Sequence, residues 1–295
     1  MSNSANCPIC GNAAWAQDRL AGRILGLPDR FCILACRVCG QRRLDPPLSE
    51  AEVKDIYSGA YFSSDEKAPS SLPSFSERAD DAAALFAGRQ GKFTETVQNL
   101  KKLHPQARTV LDVGAATGAF VKVAREHGLQ ADGIEYSAYA VQQAMELYGI
   151  RLEQATLEQV PEDRKYDIIH LNHVFEHFTD PVHELRHILR LLRNGGILYV
   201  EIPYQFHAFE KLSFILQRRR ASFGLHSLHH PYFYTPVTIL RLLESQGLDV
   251  TSVSVFSPSR YDAPTLLGKC KKSMWWLLST GRIGNHIEII ARRSS

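Results

Sequence analysis

Two sets of residues in this chain have the types and spacing that chemistry would need. The first is four cysteines in two knuckles, Cys7-Pro-Ile-Cys10-Gly and Cys36-Arg-Val-Cys39-Gly. Each knuckle offers two thiolates from a tight turn that its glycine relaxes, and two such pairs make the tetrahedral sulfur set that structural zinc takes. A redox pair is disfavoured because the motif occurs twice, and a disulfide framework because Met1-Ser-Asn-Ser-Ala-Asn6 lacks the apolar stretch of a secretory signal. The second set is two acids a little over twenty residues apart, Asp112 and Glu135, with Gly114 and Gly118 following the first. One acid suits an ammonium group, the glycines allow close approach of backbone to ligand, and the other acid can accept both hydroxyls of a ribose.

The elements that must hold these groups alternate between strand and helix. Val110, Leu111 and Val113 suit a strand buried on both faces, and a helix follows from Gly118 to His127, stopped by Gly128. Gln130–Tyr136 is a second strand, and Ser137 caps a helix that runs to Tyr148 and stops at Gly149. A short strand near Ile150–Glu153 and a longer one over Tyr166–Leu171 come next. Asp180-Pro181 opens a helix whose apolar face carries Val182, Leu185, Ile188, Leu189 and Leu192, ended by Asn194-Gly-Gly196. Ile197–Ile202 is a fifth strand, Thr235-Pro236 opens a helix ending at Gly247, and Asp249–Phe256 and His286–Ala291 read as edge strands. Such alternation predicts an α/β, doubly wound, mostly parallel sheet. The dinucleotide fingerprint is incomplete, since Ala116 stands at its second glycine, and no G-K-[ST] is present to cradle a triphosphate.

Five segments occur in a known order: V-L-D-V-G-A-A-T-G, G-I-E-Y-S, A-T-L-E, Y-D-I-I-H-L-N-H-V-F-E-H and L-R-N-G-G-I-L-Y-V-E-I-P. In these the chain resembles the class I S-adenosylmethionine-dependent methyltransferases, apart from Ala116, where that family often has glycine. The resemblance implies a seven-stranded Rossmann-like sheet and a cofactor that is an amine, a sulfonium and a nucleoside without phosphate. It makes Asp112, Gly114, Ala115, Gly118, Glu135, Tyr136 and Asn172 cofactor-binding candidates, with Thr156 and Leu157 lining the adenine pocket. It also places His173, Glu176 and His177 near the transferred methyl group. Oxygen acceptors need a base, and histidine is poised for that near neutral pH, so His177 is the candidate base; a loop-shaping role for Glu176 and His177 is the competing reading. The cysteine ribbon followed by L-D-P-P-L-S-E and I-Y-S-G-A-Y-F resembles the amino-terminal part of bacterial methyltransferases that modify sugars and polysaccharides.

The expected organisation is a zinc ribbon over 1–45, a helical linker and cap over 46–105, and a cofactor-binding domain over 106–295 with a substrate-cover insertion at 204–234. A hairpin ending in Phe31–Ala35 is expected between the knuckles, Ser49 and Glu52 form a capping box, and a helical pattern over Ala79–Leu103 breaks near Gly88 and Gly91. Tyr57 and Tyr61 could face the site or pack between ribbon and core. Cys32 reads as a buried strand residue and Cys270 as an isolated thiol. The insertion carries His207, His226, His229, His230, Arg218-Arg-Arg220 and an apolar series. A helix packed on the core is favoured there over a surface for peripheral membrane contact, a question that Met274–Leu278 after Lys269, Lys271 and Lys272 raises again.

With 34 basic and 31 acidic residues, the net charge of +3 advertises no polyanion partner. No apolar run approaches a membrane span, and cytoplasm is the default expectation. The favoured function is O-methylation of a sugar, glycan or small metabolite. One alternative is an RNA methyltransferase that grips nucleic acid with its ribbon through Arg37, Arg42 and Arg43; another is a non-catalytic cofactor-binding scaffold.

Overall fold

Strand β4 (Thr109–Val113) lies where the order of a seven-stranded sheet reverses, and the rest of the sheet builds outward from it. A computed structural model describes residues 6–49, 51–53, 90–217, 229–256 and 284–294. Tyr57, Tyr61, His226, Arg218–Arg220, Cys270 and the segment 269–278 lie outside the described residues. Parallel to β4 run β5 (Gln130–Glu135) on one side and β7 (Tyr166–Asn172) on the other, then β6 (Glu153–Gln154) beyond β5 and β8 (Leu192–Pro203) beyond β7. At the far edge β11 (His286–Arg293) runs antiparallel to both β8 and β10 (Leu248–Phe256). The sheet is therefore mostly parallel, in the order β10-β11-β8-β7-β4-β5-β6, as the alternation predicts.

Alternate residues of β4 enter different cores. Leu111 and Val113 join one apolar cluster, and Val110 joins the other, which includes Phe93, Phe120 and Ile168. Helix α3 (Ala119–Glu126) covers the second face together with α2 (Gln90–Leu103). The helix α4 (Ala138–Tyr148) starts at Ser137, whose side chain accepts from Ala140 N, and ends at left-handed Gly149. Helices α5 (Pro181–Leu191) and α7 (Pro236–Ser245) complete the first core.

Three local expectations are corrected. Helix α2 runs through Gly91 without interruption, with Phe93, Val97 and Leu100 on its buried face; Gly88 and the rest of the expected pattern before Gln90 lie outside the described residues. Asn194-Gly-Gly196 does not end α5; the chain passes from Leu191 directly into β8, and Tyr166 pairs with Leu192. Between the knuckles lies more than a hairpin. Strand β1 (Trp15–Gln17) is followed by helix α1 (Arg19–Leu25), capped by Asp18 accepting from Ala21 N, before β2 (Cys32–Cys36) returns. The Ser49–Glu52 capping box forms, Ser49 N donating to Glu52 at 2.8 Å.

The ribbon strands β1, β2 and β3 (Arg42–Asp45) are joined by β9 (Tyr232–Phe233), which belongs to the 204–234 insertion. Phe206 and Phe233 of the insertion enter the same small core as Ile24, Leu25, Ile33 and Leu44 of the ribbon. Helix α6 (Ala208–Gln217) packs Phe214 against this core and leaves Leu212, Ile215 and Leu216 exposed. No helix of the described residues is long and apolar enough to cross a membrane.

Candidate cofactor crevice and cysteine centre

The glycine turn after β4 is shaped by contacts that side chains would break. A Cβ on Gly114 would stand 2.5 Å from Val174 Cγ2, and Gly114 and Gly118 have φ of 67° and 78°. Ala116 also sits in the left-handed region, at φ 47°, a conformation that costs a residue with a Cβ roughly 1–2 kcal/mol. Glycine would take this conformation without that cost. Ala115 N donates to Ile134 O at 2.9 Å, tying the turn to β5.

Glu135 ends β5 beside this turn. Its two oxygens accept from Ala116 N and Ser137 N, each at 2.9 Å, and burial raises its pKa against those backbone bonds. A carboxylate oxygen has a second lone pair, so both can still receive ribose hydroxyls. Ala155 N donates to Glu135 O, which ties the segment before Thr156 and buried Leu157 to the end of β5; Tyr136, after Glu135, is half-exposed. Thr117 in the turn is 4% exposed, and its hydroxyl has no partner among the described residues, which suits a bond to a ligand. Its place in A-A-T-G was a sequence signal, overshadowed by the glycines.

Asp112 is placed differently from a lone crevice carboxylate. Its Oδ1 accepts from Nδ1 of His170 at 2.7 Å, deep in the sheet layer, where His170 stacks between Phe120 (3.6 Å) and Tyr199 (4.9 Å). Burial raises the Asp112 pKa, opposed by His170. His170 Nε2 is buried with no hydrogen-bond partner among the described residues. The detectable signal was register, since Asp112 and His170 are opposite one another on β4 and β7.

Asn172 ends β7 opposite Glu201 of β8, and the next residues form a tight turn. His173 has φ 56° and donates its N–H to Glu201 O at 2.8 Å. Glu176 is 2% exposed, 3.4 Å from His173 Nδ1. His177 donates from Nδ1 to His229 O at 3.1 Å, and burial lowers its pKa. Its ring stacks on His229 at 4.7 Å, so the motif turn and the insertion meet here.

The four cysteines converge. One sulfur from each lies within 4.8 Å of the others, with Cys7–Cys39 at 3.5 Å and Cys10–Cys36 at 3.6 Å. A tetrahedron with zinc–sulfur bonds of about 2.3 Å has edges of about 3.8 Å, so the set fits that ion. The two knuckles share one geometry: Gly11 N donates to Cys7 O and Gly40 N to Cys36 O, at 2.8 and 2.9 Å, with both glycines left-handed. Burial raises the Cys7 thiol; at Cys36 the same effect is outweighed by backbone bonds from Cys39 and Val38, bringing it to about 7. Nearby, Arg42 pairs with Asp18 at 2.8 Å, and Arg43 lies over the Trp15 ring. Two of the three arginines a nucleic-acid grip would use are thus engaged within the ribbon.

The sequence model of a family described as "Methyltransferase domain" matches residues 85–253. Two curated Mycobacterium proteins, from strains KMS and MCS and each described as an uncharacterized methyltransferase, are 32% identical over 126 residues, covering 40% of this chain and 45% of theirs. The chain thus spans under half the length of these relatives. Among solved structures, the plantazolicin methyltransferase BpumL in complex with SAH superposes with a TM-score of 0.51 at 14% identity, covering 83% of this chain and 97% of that one. A Haloferax volcanii complex of the Trm112 methyltransferase activator and a methyltransferase gives a TM-score of 0.52 at 17% identity, covering 73% and 96%. At these identities the likeness is one of fold.

Proposed function

This chain belongs to the methyltransferase-domain family, and from that premise we propose that it transfers a methyl group from S-adenosylmethionine to an oxygen of a sugar, glycan or other small metabolite. The observation that carries the reading is the crevice beside β4 and β5, where Glu135 is fixed by Ala116 N and Ser137 N next to the buried, unpartnered Thr117 hydroxyl. Glu135 would hold the ribose, Thr156 and Leu157 the adenine edge, and Thr117 a polar group of the amino-acid end. When bound, the cofactor supplies a methyl group on a sulfonium that loses its charge as the acceptor bonds.

The chain's own contribution is then alignment and proton removal. His177 is the candidate base: it follows β7 at the sheet's carboxyl edge, its ring is oriented by the Nδ1 bond to the His229 carbonyl, and burial favours the neutral form. The four-sulfur set supports structural zinc in the ribbon. The internal engagement of Arg42 and Arg43 favours a small acceptor over RNA.

The test is transfer of label from methyl-labelled S-adenosylmethionine to sugars, oligosaccharides and small alcohols, with RNA as a separate arm. Label in an ether on a sugar or small alcohol is expected. Label on RNA, nitrogen or carbon would overturn the acceptor assignment, and binding without transfer in every arm would favour a cofactor-binding scaffold.

A further inference from the structure

At the carboxyl edge of the sheet, on the β8 side of the crevice, three residues come together that neither the cofactor nor the ribbon accounts for. One donor atom each from His173, Glu201 and His286 lies within 4.8 Å of the other two. They arrive from three strands. His173 follows β7, Glu201 lies in β8, and His286 opens β11, whose antiparallel course brings its first residue opposite Pro203 at the same edge.

The orientation of each ligand is already fixed. His173 stands between two carboxylates, Nδ1 at 3.4 Å from Glu176 Oε1 and Nε2 at 3.8 Å from Glu201 Oε1. The other oxygen of Glu201 lies 2.9 Å from the Tyr199 hydroxyl, which is also 2.8 Å from Glu288, and 3.7 Å from Lys92, so Oε1 is the one facing His173. His286 Nδ1 donates to Asn285 Oδ1 at 2.8 Å, a bond of the kind that orients a metal-binding imidazole. The two imidazoles cross at 87° with centroids 5.0 Å apart, so their in-plane lone pairs can converge on one point.

Glu176 is the independent observation. It is 2% exposed, and neither of its oxygens has a hydrogen-bond partner among the described residues. A carboxylate so placed is costly unless it is paired. As the outer carboxylate of a metal-bound histidine it would accept from His173 Nδ1, hold the tautomer that presents Nε2, and be offset by the cation's charge.

We infer that His173, Glu201 and His286 form a binding site for a divalent first-row transition cation, with Glu176 as its outer carboxylate. Two imidazoles and one carboxylate are a donor set for zinc- or iron-class ions that leaves coordination positions open, and the His173 side chain is 26% exposed beside them. The other histidine cluster, His177, His229 and His230, fits a cation less well. Its His177 and His229 rings lie within 13° of parallel, and it has no carboxylate. The cation site stands on its own geometry and does not rest on the methyl-transfer reading.

The full chain, with zinc in its cysteine centre and treated with a chelating resin, is titrated with Co²⁺ and followed by visible absorption. One further equivalent is expected, with ligand-field bands and no thiolate charge transfer. Glu201→Gln and His286→Ala should each weaken it at least tenfold, Glu176→Gln by roughly 10–100-fold, and His230→Ala should leave it unchanged. If Glu201→Gln fails to fold, His286→Ala at the strand's first residue carries the test. Absence of binding beyond the cysteine centre would overturn the inference, as would loss in His230→Ala with retention in His286→Ala. S-adenosylhomocysteine calorimetry on the same samples separates the two proposals: cobalt binding without nucleoside binding strikes the methyl-transfer reading alone.

Discussion

The seven-stranded sheet and the ribbon sheet achieve order by different means. In β4, β7 and β8, Val110, Leu111, Ile168, Ile169, Leu171, Leu198, Val200 and Ile202 are all 0% exposed, each contributing roughly 1.5–3 kcal/mol by its burial. Among the described residues the ribbon core has eight buried members, and two of them, Phe206 and Phe233, come from the insertion. So small a core needs staples. β9 is one, joining the ribbon and the insertion in a shared sheet, and on the zinc reading the cysteine set is the other. The large sheet is ordered by apolar burial, whereas the ribbon sheet has a smaller core and takes its fourth strand from the insertion.

The largest effect expected from that difference is loss of the cysteine centre. Small zinc domains draw about 10–16 kcal/mol of apparent stability from their ion. Cys36→Ser should therefore abolish amide-exchange protection in β1, β2, β3 and β9 together, while β4, β7 and β8 keep theirs. Protection lost everywhere at once would make the two regions a single cooperative unit; protection kept in β9 would separate the insertion from the ribbon.

A smaller effect is expected where the two regions touch. His177→Ala should lower turnover by ~10²–10⁴ with little change in cofactor affinity or melting temperature. Burial holds its folded pKa below the ordinary value of 6.5. The unfolded chain therefore binds the proton more readily, so the stability of the buried neutral ring is fully present above 6.5 and is lost as pH falls through the folded value. The acid limb of kcat/KM should accordingly lie below 6.5. A limb at or above that value, or parallel losses of affinity and stability, would assign His177 to holding the insertion through its bond to His229.

Much of this was legible in residue order. The alternation of apolar runs with capped helices disclosed the sheet, and the paired C-x-x-C-G knuckles disclosed the cysteine set, because both are local patterns. The Asp112–His170 pair was hidden because it depends on strand register across the β4–β7 neighbourhood. His286 and Glu201 were hidden for a related reason: an antiparallel terminal strand returns the chain to an edge that its sequence position does not reveal. The pairing of β9 with β3 links residues far apart in the chain through two short ladder positions, too few to leave a periodic signal. Passage of α2 through Gly91 shows a tertiary face, Phe93, Val97 and Leu100, overriding local propensity.

The central claim is that the β4–β5 crevice takes an amine-bearing nucleoside without phosphate, and calorimetry on the full chain tests it most directly. S-adenosylmethionine should bind in preference to NAD, and Glu135→Ala should weaken that binding by about 1.5–3 kcal/mol, the range of a charge-assisted hydrogen bond. Tight NAD binding with no heat from S-adenosylmethionine would contradict the account.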